Sequence, residues 1–428
     1  MAISEAKTPQ LTPPMSEMSL PEIRVPAAAT FVGLVAGLVM GVVVPGVPGW
    51  AGLPGWLAPV GALWLKGLQM TILPLVASLL LVGIGQTVAA ARAGATVRAT
   101  LGLFAAVLLA GAIMAALVMP LLLDLWPIPA RAAQALAQGV QAAPMVPGAA
   151  AFVASLVPAN VLAAASSDAM LPVIVFVAVF GAALMRLPPV SQRHVLGLAH
   201  AVAATMMVMI GWVLALAPIG VFALAIGVAA HSGMAVIGAL AHYIALVSLI
   251  GAVVMVAAYG LALIGARVPP FAFVRAILPA QAVAFSTQSS LASLPAMLAA
   301  SRRMGLREET PDFVLPLAVA LFRATGPAMN MAVAIYVARL MGVELSAFAL
   351  CAGVAVAMLT TLGSPSLPGT ISFVTAIGPI AMAMGVPVGP LALLVAVEML
   401  PDIMRTLGNV TMDVAAVALV DRRGARRG

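Results

Sequence analysis

The segment EMLPDIMRTLGNVTMDV, residues 398–414, sets three acids, a base and an amide into otherwise apolar sequence. On an α-helix, Glu398, Asp402, Arg405, Asn409 and Asp413 fall within an arc of about 80°, with Thr406 at its edge, so they form one polar stripe roughly 22 Å long. These residue types suit ligand binding. A guanidinium fork pairs a carboxylate, a carboxylate pairs an ammonium, and amide and carboxylate oxygens suit a small hard cation. Paired carboxylates could also serve as acid and base. No nucleophile, histidine partner or metal motif accompanies them, so the chain is not read as an enzyme. The structural alternative is a ladder in which Arg405 bridges Glu398 and Asp402, which would leave Asp413 two turns away without a local partner.

The elements that position this stripe must lie in a bilayer. The chain is 64% hydrophobic and 8% charged, with a mean hydropathy of +1.18. The stretches Val25 to Leu65, His194 to Ala266 and Leu345 to Val397 contain no Asp, Glu, Lys or Arg. Since about 20 apolar residues already cross a membrane, this is an all-α polytopic membrane protein. Residues 1–26 are polar and contain Glu5, Glu17 and Glu22, so no secretory signal is expected and the apolar run from Pro26 is kept as a span. The single cysteine, Cys351, excludes an intramolecular disulfide and a thiolate cage. His194, His200, His231 and His242 have no ligand spacing. No cofactor is expected.

A net charge of +7 raises the question of nucleic acid, but the distribution of the arginines explains it better. Arg92 and Arg98, Arg186 and Arg193, Arg267 and Arg275, Arg302, Arg303 and Arg307, and Arg422, Arg423, Arg426 and Arg427 fall in alternate connections. The positive-inside rule then puts both termini in the cytoplasm of a bacterial inner membrane. The partners expected are lipid and a small anionic substrate, not nucleic acid.

Apolar runs predict eight spans, at 27–45, 57–87, 99–123, 150–185, 200–229, 236–264, 313–341 and 392–418. Asp168, between Pro158 and Pro172, is read as marking a break in the fourth. Gly33, Gly37 and Gly41 give the first helix a face of small residues for close helix packing. Two further apolar stretches, 284–298 and 360–374, are interrupted by Ser, Thr, Gly and Pro, which would leave backbone groups unsatisfied in lipid unless they line a cavity. They are read as re-entrant helical hairpins. Their tips share a motif, Ser293-Leu294-Pro295 and Ser366-Leu367-Pro368, and paired interrupted segments are the sequence pointer to an inverted-repeat transporter site.

On these residues the chain resembles the glutamate transporter family, the dicarboxylate/amino acid:cation symporters, from about Ala62 to Arg422. GALWLKGLQMTILPLVASLLLVGIG is similar to the family's second helix, LVPANVLAAASSDAMLPVIVFVAVFGAAL to its fourth and LAPIGVFALAIGVAAHSG to its fifth. TQSSLASLP and GSPSLPG resemble the two hairpins, and DIMRTLGNVTMD the last helix. The resemblance implies that Arg405 binds a substrate side-chain carboxylate and Asp402 the α-amino group, with Thr406 and Asn409 contacting substrate. It places Asn409 and Asp413 near a cation such as sodium, and lines the site with Ser289, Ser290, Pro368 and Gly369. It further implies a homotrimer whose transport domain moves as an elevator, with the hairpins as gates.

The departures concern the coupling ion. Where the seventh helix of the family carries Asn-Met-Asp-Gly-Thr, this chain has Phe322, Arg323, Ala324, Thr325 and Gly326. The third helix lacks the hydroxyl residues of one sodium site, and Gln288 stands where many prokaryotic members place Arg. Arg323 either lines water or puts a fixed charge where sodium sits in relatives, pairing Asp413 or a neighbouring carboxylate. Coupling would then pass to protons at Glu398, Asp402 or Asp413. The expected layout is a cytoplasmic segment 1–26, a mainly scaffold region 27–270, a transport core 271–420 and a basic tail 421–428. The expected function is cation-coupled symport of a small anionic amino acid or dicarboxylate. The alternative is a proton-coupled or uncoupled relative, a conductance or a receptor, on the same fold.

Overall fold

The computed structural model describes residues 26–50, 52–92, 94–129, 157–167, 169–232, 235–362 and 376–425. Among them every regular element is helical. Within hydrocarbon a segment must satisfy its own N–H and C=O groups, and the helix does this locally. The helices are α1 (Ala27–Val43), α2 (Leu53–Arg92), α3 (Ala95–Leu125), α4 (Val161–Ser166), α5 (Met170–Leu184), α6 (Pro189–Ala215), α7 (Ala217–Ser232) and α8 (Ala235–Gly260). There follow α9 (Pro270–Thr287), α10 (Leu294–Arg303), α11 (Glu309–Leu321), α12 (Gly326–Leu340), α13 (Ala347–Leu362), α14 (Gly378–Ala383), α15 (Leu391–Leu394) and α16 (Met399–Ala425). Six described helical stretches are long and apolar enough to cross a membrane, and four shorter apolar helices accompany them. The chain is a polytopic membrane protein.

Three expected spans take a different form. That at 150–185 is interrupted between Ser166 and Met170, while Asp168 and residues 150–156 lie outside the described residues. That at 200–229 starts at Pro189 and breaks at Leu216, two residues before Pro218, whose ring nitrogen cannot donate. The Trp64 indole donates to the Val213 carbonyl at that break, 2.9 Å away. The last expected span, 392–418, holds only the short α15 before turns at 395–398, and its long helix begins at Met399. Glu398 therefore caps a helix, its carbonyl accepting from the Asp402 N–H at 2.9 Å, rather than lying within one. Acidic groups at this end are favoured by the helix dipole.

The small-residue face of α1 packs on α7 as expected. A β-carbon on Gly33 would stand 2.4 Å from the Pro218 carbonyl oxygen, and one on Gly37 2.6 Å from that of Phe222. Only glycine admits this approach of the two backbones.

The interior of the molecule belongs to α11–α12 and α16. Of their apolar windows 89% and 78% are buried in protein, against 28% for α6 and 33% for α3, which must face lipid or other protein. The helix expected at 313–341 is broken at residues 322–325 and resumes at Gly326-Pro327. Phe322 in the break stacks on Phe104 of α3, ring centroids 4.1 Å apart. Around this core the arginine-rich connections meet. Arg92 donates to the Met185 carbonyl, Arg422 to that of Gly265, and Arg307 reaches Asp421. At the far end of α12, Arg339 pairs with Asp124 of α3.

Within the stretch 284–298, α9 ends at Thr287, a turn covers 288–293 and α10 begins at Leu294; the two helices pack on each other and on α16. Gln288 at the start of that turn adopts a left-handed φ of 50°. Its counterpart pairs α13 with α14. The residues between them, 363–375, lie outside the described residues, and Pro368 and Gly369 with them.

Candidate functional site

The stripe on α16 is buried along its whole length. Glu398, Asp402, Arg405 and Asp413 are 0%, 4%, 3% and 1% exposed. Thr406 and Asn409 are buried with them. About one turn of helix separates successive members along one face, and α16 packs on α8 and α11.

Arg405 is the hub. Its Nη2 donates to Glu398 Oε1 at 2.7 Å and its Nη1 to Asn330 Oδ1 at 2.8 Å. Its Nε lies 3.3 Å from Asp402 Oδ1, close enough for an ion pair, yet without a hydrogen bond. The other Glu398 oxygen, Oε2, accepts from the Tyr243 hydroxyl of α8 at 2.9 Å. The ladder weighed as the alternative from sequence is thus what α16 forms. Arg405 is occupied by residues of its own chain, and a ligand carboxylate must displace one of them.

The break before α12 accounts for Asn409. Its Oδ1 accepts from the Thr325 N–H at 2.9 Å and lies 2.9 Å from the Thr325 hydroxyl, which also reaches the Arg405 carbonyl at 3.0 Å. A broken helix exposes polar backbone that lipid cannot satisfy, and α16 supplies the acceptor. Thr406 bonds back to the Asp402 carbonyl at 3.0 Å, so its hydroxyl proton is also engaged.

Arg323 occupies the same break, half-buried, within electrostatic reach of Asp402, Arg405 and Asp413. Asp413 is the exception in the stripe: neither carboxylate oxygen has a hydrogen bond, although both are buried. The charge of Arg323 acts on it. Ser289 and Ser290 are half-buried in the α9–α10 turn. Ser289 caps that turn, its carbonyl accepting from the Ser293 N–H and hydroxyl and its own hydroxyl from the Ala292 N–H.

Among the described residues the donor set fits sodium poorly. Such an ion wants several oxygen ligands, yet the Asn409 oxygen already serves Thr325 and a guanidinium charge acts on Asp413. Two residues of the cluster escaped the sequence reading, Asn330 and Tyr243. The available signals were a lone amide in the apolar sequence of α12, four residues past its Gly-Pro start, and one of only three tyrosines in the chain.

Comparison with known proteins identifies the family. A family model described as the sodium:dicarboxylate symporter family matches residues 27–423. The proton/glutamate-aspartate symporter of Escherichia coli (strain K12) is 28% identical over 267 residues, 62% of this chain and 60% of that protein. The proton/sodium-glutamate symport protein of Bacillus subtilis (strain 168) is 26% identical over 402 residues, 92% of each. The C4-dicarboxylate transport protein of Anaeromyxobacter sp. (strain K) is 26% identical over 272 residues, 63% of this chain and 61% of that one. These are transporters, not enzymes. With the match running from the first helix to the last, this chain belongs to the sodium:dicarboxylate symporter family.

Proposed function

We propose that the protein is a proton-coupled symporter of a small acidic amino acid, in which the substrate's side-chain carboxylate replaces Glu398 on Arg405. The observation that carries this reading is the buried 2.7 Å ion pair between the two. Displacing Glu398 from Arg405 leaves a carboxylate with no counter-charge in a dry interior, a cost of several kcal/mol by the general penalty for breaking a buried pair. Uptake of a proton by Glu398 removes that cost. Substrate binding and proton uptake then become one event. Asp402 is placed to receive the α-ammonium as Arg405 turns to the new carboxylate, which favours an amino acid over a plain dicarboxylate. Two relatives whose names include glutamate also have a proton in their names, which supports the reading.

Arg323 supplies a fixed positive charge near Asp413, where relatives are expected to hold a cation, and Asn409 closes the helix break. Sodium at Asn409 and Asp413 is accordingly the weaker reading of the lower stripe. For the fold we read eight spans and two re-entrant hairpins in inverted arrangement, with Ser289 and Ser290 at one tip and Pro368 and Gly369 at the other. In the first hairpin, α9 and α10 pack against α16, which supports its role as a gate on the stripe. The exposed apolar side chains of α2 and α6, Trp56, Leu63, Leu198 and Trp212 among them, suit lipid or neighbouring subunits of a homotrimer through which the core moves as an elevator. Both termini are read as cytoplasmic in a bacterial inner membrane.

Uptake of labelled aspartate, glutamate and succinate into proteoliposomes under separately imposed proton and sodium gradients tests the reading. Proton-driven accumulation of the two amino acids is expected. Sodium-driven uptake indifferent to pH would overturn it, and equilibration without accumulation would mark an uncoupled conductance.

A further inference from the structure

We infer that Tyr243 is a positioning residue that sets the pH range over which substrate can replace Glu398. The inference rests on the exchange at Arg405 proposed above. Tyr243 is 0% exposed, and its hydroxyl donates to Glu398 Oε2 at 2.9 Å. Arg405 takes the other oxygen, so the carboxylate is held by one donor from α8 and one from α16.

The ring of Tyr243 is fixed as well. It meets Tyr336 of α12 edge-on, centroids 5.3 Å apart. The Tyr336 hydroxyl donates to the Ala239 carbonyl at 3.0 Å and stands 3.2 Å from His242 Nδ1. His242 Nε2 is in turn 2.9 Å from the Trp126 carbonyl. Tyr243 is thus packed in a buried aromatic cluster beside Glu398.

A hydrogen bond to a charged acceptor is roughly twice as strong as one between neutral groups. The phenol donates to the carboxylate. Once Glu398 is protonated, Oε2 can still accept from the phenol, but as part of a neutral acid it holds that bond less strongly. Tyr243 thus holds Glu398 in the state that keeps Arg405 occupied, and substrate competes with that bond. The charged and titratable groups around Glu398 are Arg405 and Asp402 of α16 and Tyr243 of α8. Asn330 and Tyr336 line the α12 side.

The direction follows. At alkaline pH, Glu398 stays charged and excludes substrate, so affinity falls through an alkaline limb. Tyr243→Phe keeps the ring and removes the donor, making proton uptake easier. Loss of one charge-assisted hydrogen bond corresponds to a shift of about one pH unit, so the limb should move up by that amount while the acidic plateau of KM stays in place. Aspartate KM is measured from pH 5 to 9 (on the order of the carboxylate-to-phenol range) in proteoliposomes of wild type, Tyr243→Phe, Tyr336→Phe, His242→Gln and Glu398→Gln, each with a thermal melt. The limb should move in Tyr243→Phe and be absent both from Glu398→Gln and from the double Tyr243→Phe/Glu398→Gln. A limb present in wild type and lost in Glu398→Gln, but unshifted in Tyr243→Phe, overturns the role of Tyr243 and leaves the exchange standing. So does a shift produced by His242→Gln or Tyr336→Phe and not by Tyr243→Phe. A limb that survives in Glu398→Gln overturns the exchange itself.

Discussion

Two arginine–acid pairs involve opposite ends of α16, and their chemistry is the same while their surroundings differ. Arg405 and Glu398, 2.7 Å apart, are 3% and 0% exposed. Arg307 and Asp421, 3.0 Å apart at the helix's other end, are 54% and 12% exposed. The second pair is a staple: Arg307 also bonds the Asp421 carbonyl at 2.7 Å, and the Thr310 hydroxyl reaches Asp421 Oδ1 at 2.8 Å. Water reaches the Arg307 side of this pair. At the buried end it does not, so each charge there is committed to another, and a change in one forces a change in its partner. The contrast separates a contact that fastens the α10–α11 connection to α16 from one that can do coupled work.

Arg405→Ala should break the comparison most severely. It removes the group that receives substrate and strands Glu398, so saturable binding of labelled aspartate should vanish and stability should fall by about 3–5 kcal/mol. The loss should shrink on acidification, when Glu398 can take a proton, and thermal melts at two pH values check this. Unchanged aspartate affinity would refute the role of Arg405. Glu398→Gln should act in the opposite sense on binding, freeing Arg405. Exchange of labelled for unlabelled aspartate should persist and lose its pH dependence, while accumulation driven by a proton gradient should cease. Thr325→Val removes the hydroxyl between Asn409 and the Arg405 carbonyl and should cost about 1–2 kcal/mol in a melt, with substrate affinity lowered as α16 loosens at the break. Arg307→Ala should be the mildest, about 1 kcal/mol for a pair whose arginine is half-exposed, with KM within twofold of wild type.

Much of this architecture was legible in the sequence because membrane helices advertise themselves. Apolar length gave α1, α2 and α3, and the spacing of Gly33, Gly37 and Gly41 gave a packing face that α7 occupies. The 100° step gathered the stripe. The kink at Leu216 was missed because apolar length was weighed above Pro218, and the start of α16 because Leu391 to Val397 reads as helix until tertiary packing turns it. The site was legible by residue type and not by pairing. Spacing put Glu398 on the same face as Arg405, but the ion pair depends on Asn330 and Tyr243, which arrive from α12 and α8 and have no sequence proximity to α16. Arg323 stood out as a lone charge, and only the fold brings it within reach of Asp402 and Asp413.

The most direct measurement is proton uptake on adding aspartate to the purified protein in weakly buffered solution at neutral pH, read with a pH-sensitive dye, for wild type and Glu398→Gln side by side. Exchange at Arg405 predicts that wild type takes up protons in step with bound aspartate and that Glu398→Gln binds aspartate without doing so. Binding by wild type with no proton uptake, or equal uptake by Glu398→Gln, would contradict it.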